Sequence, residues 1–141
     1  VNTKHKENTP LPGGKGSILL VDDEHIIAEM NRLLLQKLGY SIKTASGSLE
    51  ALDIFRNSPD SFDLLITDQT MPNMTGIALA QEIHMIRSGI PVILCTGNSE
   101  IINSENYIEK GIDLFLYKPV STEDLADAIR DVLDKKQNDR I

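Results

Sequence analysis

At 141 residues, with 40% hydrophobic and 25% charged side chains, the chain suits one soluble globular domain with a single core. A formal charge of −7 argues against nucleic-acid or anionic-membrane partners, which need a basic face. No apolar run approaches the ~20 residues of a membrane span, and Cys95, the sole cysteine, has no mate for an internal disulfide.

Residues 1–16 are polar and end in Thr9-Pro10-Leu11-Pro12-Gly13-Gly14-Lys15-Gly16, a composition that suits a flexible linker. A phosphate-loop reading of the glycines fails on order, because such a loop follows a strand and opens a helix. Here the glycines precede the strand.

Ile18 to Val21 is an apolar run that ends on Asp22-Asp23-Glu24. Ile26, Ile27, Met30, Leu33, Leu34 and Leu38 then recur at helical spacing, and Gly39 stops them. Tyr40 to Ala45 reads as a second strand, and Ser46 or Ser48 can cap a helix carrying Leu49, Leu52 and Phe55. Leu64 to Ile66 is a short apolar run of the kind that fills a buried strand and delivers Asp68, after which Met71-Pro72 and Gly76 break the pattern. A helix over 76–87, with Ile77, Ala80, Ile83 and Ile86 on one face, leads to a strand from Pro91 to Cys95 and then Thr96. Residues 99–110 are a poor helix, because Asn103, Ser104 and Asn106 have low propensity. Asp113 to Tyr117 is the fifth strand and runs into Lys118-Pro119. Ser121 caps the last helix, whose apolar stripe is Leu125, Ala128, Ile129, Val132 and Leu133, and Lys135-Lys136 close it before a polar tail at 137–141.

Strands alternating with helices imply a doubly wound α/β fold with one parallel sheet covered on both faces. Right-handed crossovers put every strand end that leads into a helix along one edge, and sites in such sheets lie outside those ends. Asp22, Asp23, Asp68, Thr96 and Lys118 all fall just after strands. Three carboxylates and one ammonium carry −3 + 1 = −2. Two carboxylates about 4 Å apart repel by about 4 kcal/mol at an effective dielectric near 20, so a proton or a cation is required. A hard divalent ion such as Mg²⁺ balances the excess and keeps open positions for phosphate oxygens. An Asp carboxylate is a competent phosphoryl acceptor.

With Leu-Val-Asp-Asp-Glu at 20–24, Asp68-x-x-Met71-Pro72-x-x-x-Gly76, Thr96-Gly97 and Lys118-Pro119 in this order, the chain resembles the receiver domain of bacterial response regulators from about Ser17 to Lys136. The resemblance implies a single five-stranded parallel sheet in the order 2-1-3-4-5 with five helices, flavodoxin-like. It implies that Asp68 accepts a phosphoryl group from a phosphohistidine on a partner kinase or phosphotransfer domain. Asp23 and Asp68 would bind Mg²⁺ directly with the backbone carbonyl of Thr70, and Asp22 would act mainly through water. Thr96 and Phe115 would form the switch that repacks the surface around residues 99–120, and the Lys118–Pro119 bond would be cis. Thr70 and Asn98 would tune water access. The Pro/Gly run before the first strand resembles the junction after the ATP-binding domain of hybrid sensor histidine kinases. The location implied is cytoplasmic, as the cytoplasmic part of a membrane-anchored kinase in that case, and a weak homodimer is one assembly it allows.

Two rivals use similar residues. A haloacid-dehalogenase-type phosphatase also has a strand-end Asp and Mg²⁺, but its acid–base Asp would fall at Thr70, so no independent turnover is expected. A flavin or nucleotide binder of flavodoxin type would need a Gly/Ser/Thr-rich loop where Asp22-Asp23-Glu24 stands. A stand-alone response regulator is the alternative to a hybrid-kinase parent.

Overall fold

The computed structural model describes residues 11–97 and 110–139, with side chains as far as residue 136. The five strands are β1 (Ser17–Val21), β2 (Ser41–Ala45), β3 (Leu64–Asp68), β4 (Val92–Thr96) and β5 (Leu114–Tyr117). They form one parallel sheet in the order β2-β1-β3-β4-β5. Four helices are described: α1 (His25–Lys37), α2 (Ser48–Asn57), α3 (Gly76–Ile86) and α4 (Thr122–Asp139). The helix expected over 99–110 falls almost wholly outside the described residues, as do residues 1–10 of the expected linker.

Side chains alternate along each strand, so the two sheet faces feed two separate clusters. Leu19, Leu65 and Leu94 pack with Leu52 and Phe55 of α2 and with Leu79 and Ile83 of α3. Ile18, Leu64, Ile66 and Ile93 pack with Leu35 of α1 and with Leu125, Ile129 and Val132 of α4. Strands buried on both faces read as unbroken apolar runs, which is why β3 and β4 were plain in the sequence.

Several local expectations shift. Neither Ser46 nor Ser48 caps α2: the cap is Gly47 and makes no side-chain bond. Ser48 is buried and donates its hydroxyl to the Met74 carbonyl at 2.6 Å, and the Ser46 amide donates instead to Glu50 Oε1 at 2.7 Å. Ser121 does cap α4, its Oγ accepting from Asp124 N at 3.0 Å, and the helix runs past Lys136 to Asp139. Part of the Pro/Gly segment is tied down. Gly14 N donates to the Leu38 carbonyl at 3.0 Å, and Arg130 Nη1 donates to the Gly13 carbonyl. Gly39 is forced by this approach: at φ +109, a Cβ there would lie 2.3 Å from the Gly14 carbonyl oxygen.

The apolar series read for α1 is only partly covered: Leu38 packs against the core and Leu34 is half-buried. Ile26 is 75% exposed and Met30 64%, while Ala28 and Leu35 are the buried positions.

Candidate functional site

The sheet order reverses between β1 and β3, and the register pairs Val21 with Thr67. Asp22 therefore leaves β1 beside Asp68 at the end of β3, at the switch point where open α/β sheets place their sites. Lys118 follows β5, where its amide donates to the Thr96 carbonyl at 2.9 Å. The Lys118–Pro119 bond is cis, as the resemblance implied.

Asp68 is only 4% exposed. Its Oδ1 lies 2.9 Å from Lys118 Nζ, and its buried Oδ2 has no hydrogen-bond donor. Burial pushes its pKa up to about 7; Asp22 adds to that, and Lys118 opposes it. Burial works against the Lys118 ammonium, but the bond to Asp68 and the charges of Asp68, Asp22 and Glu24 together outweigh it and leave the lysine raised. The Cys95 thiol below the site is pushed up to about 12, by burial first and by Asp68 second, in keeping with an inert core residue.

Oxygens of Asp22, Glu24 and Asp68 lie within 4.8 Å of one another and could hold a metal ion. Glu24 was not among the expected ligands. The Asp22 side chain accepts from the Glu24 amide at 2.8 Å, and this tight turn brings the Glu24 carboxylate to 3.9 Å from Lys118 Nζ. The signal was the third acid in the 22–24 run, two positions beyond the one that enters the pocket. Asp23 is exposed and stands outside the three-carboxylate cluster. Thr70 is exposed directly after the strand end, Thr96 closes β4 fully buried, and Phe115 is half-buried against the α2/α3 core. Asn98 lies outside the described residues.

The loop after Asp68 is held close. Gln69 Oε1 accepts from Ile77 N at 2.9 Å, and Thr75 Oγ1 caps α3 by accepting from Ala78 N at 3.2 Å. A Cβ on Gly76 would sit 2.2 Å from the Asp68 carbonyl oxygen, so only glycine lets α3 start this near the strand end.

The model of the response regulator receiver domain matches residues 18–130, and the chain belongs to that family. A receiver domain protein from Clostridium thermocellum is similar in structure, with a TM-score of 0.79 and 36% identity over 86% of this chain and 96% of that one. A CheY-like receiver from Methanospirillum hungatei JF-1 gives a TM-score of 0.81 at 30% identity, over 89% of this chain and 99% of that one. Among curated relatives, the probable transcriptional regulator ycf27 of Cyanidium caldarium is 37% identical over 120 residues, 85% of this chain and 47% of the relative. The sensor histidine kinase RcsC of Salmonella typhi is 35% identical over 108 residues, 77% of this chain and 11% of the relative. The chain thus spans about half the length or less of these curated relatives. It is a receiver domain of two-component signalling, a class that accepts phosphoryl groups from histidine kinases. No helix among the described residues is long and apolar enough to cross a membrane.

Proposed function

We propose that this chain is the phosphoacceptor of a two-component phosphorelay, with Asp68 taking a phosphoryl group from a phosphohistidine on a partner kinase or phosphotransfer domain in an Mg²⁺-dependent reaction. One observation carries the reading: a buried strand-end carboxylate has one oxygen 2.9 Å from an ammonium and the other without a donor. The orphaned oxygen and its acidic neighbours fit a hard cation with oxygen ligands. Asp68 and Asp23 would hold it with the Thr70 carbonyl, and Asp22, buried beside Asp68, would act mainly through water, as the family resemblance implies. Bound there, Mg²⁺ supplies neutralisation of the carboxylates and of charge on the phosphoryl oxygens.

An Asp68 oxygen attacks phosphorus as the phosphorus–nitrogen bond of the donor breaks, and the imidazole nitrogen keeps the electron pair. Lys118, already beside the acceptor, offers its ammonium donors to the phosphoryl oxygens, and Thr96 offers its hydroxyl. The product adds about −1.5 to −2 charges at the strand end. Movement of Thr96 toward that charge, followed by Phe115, then repacks the surface around residues 99–120.

The test uses Mg²⁺ with acetyl phosphate or beryllofluoride. Wild type is modified at Asp68 and Asp68→Asn is not; equal labelling of both ends the proposal. We infer a hybrid sensor histidine kinase as the parent, with this chain on its cytoplasmic side, supported by the similarity to a sensor kinase and by the Pro/Gly run at 10–16. The parent gene decides this: kinase domains before Val1 support it, and an output domain with none refers the chain to a stand-alone regulator.

A further inference from the structure

The sheet face under α1 is closed at one end and open at the other. Leu35 and Tyr40 close the end near the α1–β2 turn. Toward the start of α1, Ile27 and Met30 belong to neither buried cluster. Between them and the start of α4 opens a cleft of about 520 Å³. Its floor is Leu20, Ile66 and Cys95, where three strands end. Its walls are Ile27 and Met30 on one side and Val120 and Leu125 on the other. Asp22, Glu24, Asp68 and Lys118 gather at one end.

This volume falls within the roughly 300–1,000 Å³ of small-ligand sites, and apolar walls with a few polar groups at one end are their pattern. Close-packed interiors leave few voids of this kind, and apolar surface left open beside a polar rim marks a place where something binds.

We propose that the cleft is a binding site for a small amphiphile with an apolar body and a single cationic head, chemically an arylalkyl- or alkylamine. Charge selects the head: three acidic side chains face one ammonium at that end, and Glu24, exposed to water, keeps it negative. Lys118 is already shared between Asp68 and Glu24, so an anionic head would meet carboxylates before it met a free cation. Glu24, the most exposed of the three acids, stands where an arriving ammonium reaches it first. The body lies along Ile27, Met30 and Val120. The proposal rests on the cleft and its charge, independently of phosphotransfer. Because head group and divalent cation use the same carboxylates, the two exclude one another.

The experiment titrates the full chain with phenylbutylamine, followed by heteronuclear NMR. Saturable shifts are expected at Ile27, Met30 and Val120. Phenylbutyrate, with the same body and an anionic head, binds at least about tenfold more weakly. Met30→Gln, at an exposed position outside the carboxylate cluster, weakens the amine several-fold and leaves Mg²⁺ affinity unchanged. Saturating Mg²⁺ lowers the apparent amine affinity by about tenfold. Equal binding of amine and carboxylate, shifts that map elsewhere, indifference to Met30→Gln, or absence of saturation each overturns the proposal. A concentration-dependent dimer in sedimentation that abolishes the probe shifts assigns the cleft to a second copy and overturns it equally.

Discussion

Two helices lie on the same face of the sheet and use their apolar residues in opposite ways. In α4 the stripe of Leu125, Ala128, Ile129 and Val132 faces the strands and is buried. In α1 Ile26, Met30 and Leu33 stay exposed, and the buried positions are Ala28 and Leu35. Periodicity finds an amphipathic helix, but it does not say what covers the apolar face. The connections settle it. The Asp22–Glu24 turn sets the entry of α1, with the Asp22 amide bonded to the Ala45 carbonyl at 3.1 Å. The exit is set by the Tyr40 amide bonded to the Leu35 carbonyl at 3.1 Å.

The contrast can be broken by truncation. Ile129→Ala removes a side chain of 0% exposure from a fully enclosed position and should cost about 4 kcal/mol in denaturant unfolding. Leu35→Ala empties an equally buried position, but in a helix that buries only Ala28 beside it, so about 3 kcal/mol is expected. A larger loss at Leu35 than at Ile129 would reverse the ranking.

A pH titration asks how dry the ground between the two helices is. The Asp68 pKa is raised from 3.8 to about 7, so the folded state binds the proton more tightly than the unfolded chain. That stabilisation is complete below the unfolded value and is lost as pH rises through about 7. In EDTA, wild type should therefore lose about 2 kcal/mol relative to Asp68→Asn between about pH 5.5 and about pH 8. Parallel stability curves for the two proteins would place Asp68 in contact with water. The smallest effect is expected at the outward face of α1, where Met30→Ala should change unfolding free energy by less than about 0.5 kcal/mol.

The strands were legible because a parallel sheet buried on both faces demands unbroken apolar runs, as in Leu64 to Ile66. Asp22, Asp68, Thr96 and Lys118 were legible because each is the polar residue that ends such a run. The burial of α1 was hidden because Ala28 and Leu35 are outnumbered by its exposed apolar residues. Glu24 was hidden because its position depends on a turn closed by the side chain of Asp22. The capping of α2 was misread because Ser48 serves a tertiary bond to Met74 in place of a local one.

The fastening of Gly13 and Gly14 against Arg130 and Leu38 sits at the amino ends of the strands, whereas Asp68 stands at their carboxyl ends. Residues 13 and 14 are thereby held at the pole opposite Asp68. A molecule that reaches Asp68 need not disturb this fastening, and a pull on Gly13 or Gly14 is taken up by α4 and the turn after α1 before it reaches the acid pocket.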